Sequence, residues 1–289
     1  MRRDSLRIGT CSWNYESWVG LVYSRPQRAA AHYLAEYAQH YDTAEIDSWF
    51  YRIPDRSSVL EYVHAVPAGF RWTCKAPQQI TLTHHRTSAA SGQLVPNPDF
   101  LSIDVLHRFL EVIEPILGTT DMIMFEFEYL SKAKMPGGLS EFMDRLNGFV
   151  EHLPREIRFG FEPRNASFLT PPWFRFLAEK NLAHVFSQKI HLPNVWAVYD
   201  ENRAVIEKMP RALFRLLGGD RQEMEKKTRN TWNATVEPKD REIELIVGII
   251  ASYVSKAYAI LNVNNHYEGS APITIEKIES MLASHSDRS

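Results

Sequence analysis

Short runs of apolar, β-prone residues alternate with helical periodicity along nearly the whole chain. Residues 6–10 predict a strand and residues 26–40 a helix opened by Pro26. A strand at 43–47, a helix at 57–66 and a strand at 70–75 follow. Residues 99–117 set Ile103, Leu106, Leu110, Ile113 and Leu117 on one face, the spacing of a single helix lying on a sheet. The alternation continues with strands at 122–127, 157–161, 182–186, 212–217 and 259–263, and helices at 139–153, 171–180, 196–208, 237–257 and 272–283. In residues 237–257, Ile243, Ile246, Ile250, Tyr253 and Ala257 form one apolar stripe.

Eight strands, each followed by at least one helix, is the count of a closed α/β barrel, the (β/α)8 TIM-type fold, in a single domain spanning 1–289. An open doubly wound sheet is the competing architecture, but no Gly-rich dinucleotide turn follows the first strand. Residues 78–97 and 187–194 lack periodicity and read as long loops over the barrel mouth.

Composition narrows the class without naming a reaction. The chain has 289 residues, 44% hydrophobic and 24% charged, with a net charge of −2, so it carries no broad field for nucleic acid or an anionic membrane. A basic loop at His84, His85 and Arg86 is the local exception. The basic N-terminus has no apolar run behind it, no segment has membrane-spanning length, and two cysteines suggest a reducing compartment. These features predict a cytoplasmic protein with no membrane partner.

In a barrel, side chains at the C-terminal ends of the strands converge on one mouth. Those positions hold Cys11 and Trp13, Glu45 and Asp47, Lys75 and His84, Glu126 and Glu128, Glu162 and Arg164, Arg215, and Asn262, Asn264, Asn265 and His266. Strand alternation puts Glu45 and Asp47 on one face, and likewise Glu126 and Glu128. Buried carboxylates need Lys75, Arg164, Arg215 or a metal beside them, either as a structural ion network or as catalytic groups. The last strand runs into a polar turn, 260–274, rich in Asn, His and Glu before a helix start, the place where α/β proteins put chemistry.

Several features read two ways. Gly218-Gly219 and Gly269-Ser270 stand where barrels bind phosphate, with Arg215 or Arg221 to help, or they only make tight turns. Glu45, Asp47, His84, Glu162 and His266 are metal-ligand types without compact spacing, which leaves a metal open. Cys11 reads as a small buried thiol, having no local His partner. Trp13, Tyr15, Trp18, Trp49, Phe50 and Tyr51 either stack on a sugar or nucleobase or plug the barrel top. No flavin or nicotinamide fingerprint and no cysteine cluster suggests a redox role, and the sequence leaves any cofactor unknown.

The same positions resemble a known family. Ile8, Gly9, Thr10, Trp13, Tyr15, Trp18 and Gly20 are similar to the opening pattern of the YecE-like family, a domain of unknown function folded as a TIM-type barrel. Glu45, Phe50, Tyr51, Arg52 and Pro54 resemble its second-strand signature, and Lys75, Pro77, Thr83 and His84 its third-strand block. Glu162-Pro-Arg164, Arg215 and the closing Asn264-Asn265 complete a resemblance over nearly the full chain. The chain departs from the family pattern at Cys11-Ser12, at Asp47, at Glu126-Phe-Glu128-Tyr129 and at Leu217, which makes this mouth more acidic. The resemblance implies the fold and leaves the reaction open.

The leading expectation is a barrel enzyme performing acid–base or hydrolytic chemistry on a small polar or anionic ligand, a carbohydrate or phosphorylated metabolite. Glu162 and Glu45 are the candidate acid and base, and Lys75 and Arg164 complete the catalytic set. Trp13, Tyr15, Asp47, Tyr51, His84, Glu126, Arg215, Asn264, Asn265 and His266 are the candidate ligand contacts. The alternative is a barrel that binds a ligand, nucleic acid or protein without turning it over.

Overall fold

In a computed structural model of the protein, which describes residues 5–86 and 94–286, eight strands close into a parallel barrel. They are β1 (Leu6–Cys11), β2 (Thr43–Ile46), β3 (Arg71–Lys75), β4 (Thr120–Glu126), β5 (Phe159–Glu162), β6 (Ala183–Lys189), β7 (Arg211–Gly218) and β8 (Tyr258–Val263). Each strand pairs with its neighbours in sequence, and β1 pairs with β8 to complete the circle. The (β/α)8 fold expected from the alternation is the fold adopted.

Both faces of such strands are covered, so their burial is nearly continuous. Outward residues such as Ala44, Trp72, Phe125, Phe161 and Phe214 pack with the helices in one extended core. Inward residues build two layers. Met122, Met124, Ala183, Val185, Leu213 and Ile260 form a dry lower plug, separate from the outer core. Above it, toward the strand C-termini, the inward positions turn polar: Glu45, Thr73, Glu162, Ser187, Arg215 and Asn262 are all buried. The barrel interior is therefore a filled core whose upper half is ionic.

Register sets which groups meet. Ser187 on β6 lies beside Arg215 on β7, which lies beside Asn262 on β8, while Glu126 on β4 lies beside Glu162 on β5. Gly9 on β1 lies beside Asn262, and a Cβ there would come within 2.1 Å of the Thr43 carbonyl oxygen. A residue without a side chain is what lets β1 close on β2 at the level of the polar layer.

Several boundaries differ from the sequence expectation for physical reasons. The single helix expected over 99–117 is two, Ile103–Val112 and Glu114–Leu117, parted at Ile113. Pro115 has no N–H to continue the ladder, so it sits in the first turn of the second piece. The first helix begins at Ala30 rather than Pro26. Residues 78–97 are not simply a loop: they contain a helical turn, Gln78–Thr81, and antiparallel strands His84–Arg86 and Leu94–Pro96, with 87–93 outside the described residues. β6 extends to Lys189, into the stretch read as loop, through a register irregularity between Gln188 and Lys189. Arg221–Thr228 is a helix without a sequence expectation, because it is polar on nearly every face. Among the described residues no helix is long and apolar enough to cross a membrane.

Candidate functional site

Arg215 organises the polar layer. Its guanidinium donates to Glu45 through two bonds, Nε to Oε2 at 2.9 Å and Nη2 to Oε1 at 2.7 Å. Its Nη1 donates to Glu162 Oε2 at 2.6 Å and to Glu126 Oε2 at 3.2 Å. Ser187 donates to Glu162 Oε1 at 2.5 Å, and Asn262 Nδ2 donates to Glu45 Oε2 at 3.1 Å and Thr73 Oγ1 at 2.8 Å. The side chains of Glu45 and Glu162 are 0% exposed and that of Arg215 2%. Burial alone would raise the Glu45 carboxyl, but Arg215, Lys75 and Asn262 outweigh it and hold it below the usual carboxylate range.

A second tier faces the mouth. Glu126 Oε2 lies 3.1 Å from Lys75 Nζ and 2.9 Å from Arg164 Nη2, and the same Arg164 nitrogen lies 2.9 Å from Glu162 Oε1. These side chains are partly open, at 17% for Glu126, 13% for Arg164 and 12% for Lys75. Burial opposes ionisation of Glu126, yet Arg164, Lys75 and Arg215 together keep it ionised far below the usual range. Lys75 also sits 5.2 Å from the Phe50 ring centre, a cation–π contact at the rim. Glu45, Glu126 and Glu162 thus face Lys75, Arg164 and Arg215, a network of matched charge.

Three groups stand outside that match. Asp47, half-buried beyond β2, forms no ion pair and no hydrogen bond to another side chain among the described residues, and its carboxylate accepts only from its own backbone N–H. Burial, then the Glu45 charge, raises its carboxyl above the usual Asp value, with Lys75 and Arg215 only partly compensating. Arg164 Nη1 is buried without a hydrogen-bond partner among the described residues. Lys189 is exposed and in no ion pair there, yet the protein packed around it and the Arg164 cation push its ammonium below the usual lysine range. Cys11 is also buried and free, and burial with Glu45 beside it pushes its thiol well up, which removes the thiolate a nucleophile needs.

The structure brings together Glu162, Glu45, Lys75, Arg164, Glu126 and Arg215, with Asp47 close by. Tyr15 is half-buried at the rim, where burial and Asp47 raise its phenol, and Tyr51 is 68% exposed. Trp13 is not at the mouth. It is buried between sheet and helices, edge-on to Tyr62 at 5.1 Å and Trp72 at 5.9 Å, and its indole donates to the Ala30 carbonyl. Trp18 and Trp49 are likewise core. His84 contacts Thr83 Oγ1 at 3.1 Å in the hairpin, apart from the charged network. Glu128 parts from Glu126 and is held by Thr83 and Lys134.

In the closing turn, Asn264 Oδ1 accepts from the His266 backbone N–H at 2.9 Å and meets His266 Nδ1 at 2.5 Å. The His266 ring packs on Trp232, and burial pushes its pKa down against the pull of Glu225. Asn265 is a brace: its Oδ1 accepts from Trp18 Nε1 at 3.3 Å and from the Ala271 N–H at 2.9 Å. Gly218 is required by close approach, since a Cβ there would lie 2.2 Å from the His266 carbonyl oxygen. The helix after β7 is capped by Asp220, whose carboxylate accepts from the Glu223 N–H at 2.8 Å. At each of the two helix starts that a phosphate would use, one backbone N–H is thus taken by the chain's own side chain.

Glu45, Asp47, His84, Glu162 and His266 do not gather as a ligand set. Among the described residues no group of three or more His, Cys, Asp and Glu side chains has metal-binding geometry. Sequence reasoning missed Ser187 and Lys189, although the inward period Val185, Ser187, Lys189 was available once β6 was extended. A cavity of about 700 Å3 lined by Leu6, Ile8, Tyr41, Asp42 and Glu279 opens at the opposite, N-terminal end of the barrel.

A family model described as "protein of unknown function DUF72" matches residues 7–289. A DUF72 family protein from Thermotoga maritima MSB8 superposes with a TM-score of 0.69 at 18% identity, covering 96% of this chain and 99% of that one. One from Enterococcus faecalis V583 gives 0.66 at 19% identity over 96% and 95% of the two chains. A psychrophilic glycoside hydrolase family 10 endo-beta-1,4-xylanase gives 0.50 at 6% identity over 95% and 97%, a likeness of fold alone. No curated protein matches the chain significantly. With the family match running almost from end to end, over the same strands that build the charged mouth, the chain belongs to the DUF72, or YecE-like, family.

Proposed function

We propose that the mouth of this barrel is an acid–base site acting on a small, hydroxyl-rich polar ligand, with Asp47 as the proton-transferring carboxyl. The observation that carries this reading is the contrast between two carboxyls that both feel the Lys75 and Arg215 charges. Glu126 is neutralised by Lys75, Arg164 and Arg215, whereas Asp47, half-buried and in no ion pair among the described residues, is held above its usual range. Environments that drive two carboxyls apart divide acid and base roles between them, and a raised pKa brings a carboxyl toward the pH at which it must give and take protons.

Glu45 and Glu162, the pair first expected to do this work, take a supporting role in the proposal. Their side chains are closed to solvent and committed to Arg215, Asn262 and Ser187. They fix Arg215 and Arg164 as an immobile positive floor, able to stabilise negative charge developing on a bound oxygen without reorganising. Lys75 and Arg164 reach the mouth from that floor, and Tyr15, Tyr51, Asn264 and His266 line its rim. A sugar or polyol suits this mixture of carboxyl, hydroxyl, amide and cationic groups, and Asp220 and Asn265 each take one of the backbone N–H groups at the helix starts that would bind a phosphate ester.

The test is turnover. Wild-type protein and Asp47→Asn are incubated in D2O with a panel of aldoses, ketoses, sugar acids and aryl glycosides, and followed by proton NMR. The proposal expects loss of substrate signal, or exchange of a carbon-bound proton for deuterium, with one class of compound, and its disappearance in a normally folded Asp47→Asn. A ligand bound by wild type but left chemically unchanged would place the protein with non-catalytic binding barrels instead.

A further inference from the structure

Two tyrosine rings stand out of the mouth face. Tyr51 is 68% exposed and Tyr129 65%, and among the described residues the exposed large apolar side chains other than Leu60 all lie on segments that follow strand C-ends. Neither ring rides on a slack loop. Tyr51 closes the short turn Ser48–Phe50 that begins at Asp47: its N–H donates to the Ser48 carbonyl at 3.2 Å, and its ring stands edge-on to Phe50 at 5.5 Å. Phe50 in turn lies 5.2 Å from the Lys75 ammonium. Tyr129 sits between two anchored residues. Glu128 is held by Thr83 and Lys134, while the Leu130 N–H donates to Asn165 Oδ1 at 2.8 Å and its carbonyl accepts from Asn165 Nδ2 at 2.9 Å. The two tyrosines follow β2 and β4, and the strand between those, β3, carries Lys75 with Glu126 at 3.1 Å. At the usual strand spacing the parent strands are about 10 Å apart.

A large ring held in water by a fixed backbone leaves apolar area unburied, and a ligand that covers it gains that area while ordering little of the protein. We infer that Tyr51 and Tyr129 are stacking platforms for different units of one carbohydrate chain, so that the ligand of this mouth is an oligosaccharide rather than a free monosaccharide. This rests on the acid–base reading for the unit that meets Asp47, but the platforms are read by equilibrium binding and need no turnover. The C–H face of a pyranose is apolar and its edge carries hydroxyls, which suits a tyrosine ring standing beside carboxylates and cations. A second copy of the chain is the competing occupant of an exposed aromatic face. It fits less well, because what lies between the two rings is the charged pair Lys75 and Glu126 and not the apolar centre of a protein interface. The chain runs from the β2 rim, over Asp47 and Lys75, to the β4 rim.

The experiment is calorimetric titration of the full chain with cellotetraose, xylotetraose and maltotetraose, each beside its own monosaccharide, repeated on Tyr51→Ala, Tyr129→Ala and the corresponding Phe variants. Both tyrosines are exposed, so these variants keep the fold. The inference expects at least one tetrasaccharide to bind about 10-fold or more tightly than its monosaccharide, and each Ala variant to lose about 10-fold of that affinity, the size of one stacked ring. The Phe variants, which keep the ring, are expected to retain it. Tetrasaccharides binding no better than monosaccharides, whether or not either is detected, overturn the inference, as does a length preference unchanged in both Ala variants. Phe variants as weak as the Ala variants overturn stacking as the role of the rings. Sedimentation velocity of the same proteins reads the competing occupant: a dimer that dissociates in Tyr51→Ala or Tyr129→Ala assigns the rings to a contact between copies and also overturns the inference. Failure of Asp47→Asn to lose turnover, with the length preference intact, would count against the acid–base reading alone.

Discussion

Arg215 and Glu45, 170 residues apart in the chain, are joined by two parallel hydrogen bonds of 2.9 and 2.7 Å inside a closed barrel. The pair ties β7 to β2 across the interior, and Asn262 and Glu162 extend it to β8 and β5. Removing one partner of a buried ion pair strands the other, at a cost of about 3–5 kcal/mol. Arg215→Met is therefore expected to destabilise the fold by about that much in urea titration. In the Arg215→Met background, Glu45→Gln should be neutral or stabilising, because it removes a stranded charge. Equal destabilisation by Glu45→Gln in both backgrounds would show that the pair is not coupled.

Asp47 behaves in the opposite sense. Its carboxyl is raised in the folded state, so the native protein binds the extra proton between the unfolded and folded pKa values, and stability falls as pH rises through that window. Above it, the ionised carboxylate opposes folding. Asp47→Asn should raise Tm at neutral pH and flatten its dependence on pH, while lowering turnover by about 100- to 10,000-fold. A lower Tm at neutral pH would mean that the carboxylate has a stabilising partner.

His184 faces outward from β6 among Trp173, Phe174 and Phe186, and burial depresses its pKa to about 3. The folded value is depressed, so stability is fully present above the unfolded histidine pKa of about 6.5 and is lost as pH falls toward 3. Its ring resonances should show no titration from pH 8 to pH 4. A midpoint near 6.5 would place the ring in solvent.

Gly218 has φ +84°, and a Cβ would run into the backbone of His266 and Tyr267. Gly218→Ala should cost more than about 1 kcal/mol and shift the amide resonances of the 264–267 turn. An unperturbed turn would show that β7 can move away from it.

The barrel was legible because parallel strands buried on both faces read as apolar runs at regular intervals, and alternation along them put Glu45, Asp47, Glu126, Glu162 and Arg215 on inward positions. What alternation cannot supply is depth. Glu45 and Asp47 share a face, yet two residues along the strand one is sealed against Arg215 and the other reaches the mouth. Aromatic richness misled for the same reason, since Trp13, Trp18 and Trp49 follow strand ends in sequence but turn back into the sheet–helix core. Arg221–Thr228 escaped notice because its sequence, RQEMEKKT, has no apolar stripe. Lys189 was obscured because the strand continues through an irregularity that breaks its pattern.

The most direct test of the central claim is a site-resolved titration of the carboxyl carbons of Asp47 and Glu126 by 13C NMR, assigned with Asp47→Asn and Glu126→Gln. The account predicts that Asp47 protonates first as pH falls, above the ordinary aspartate range, while Glu126 stays ionised until far more acid pH. Glu126 protonating before Asp47, or Asp47 titrating at or below its ordinary value, would contradict it and leave the mouth a structural ion network.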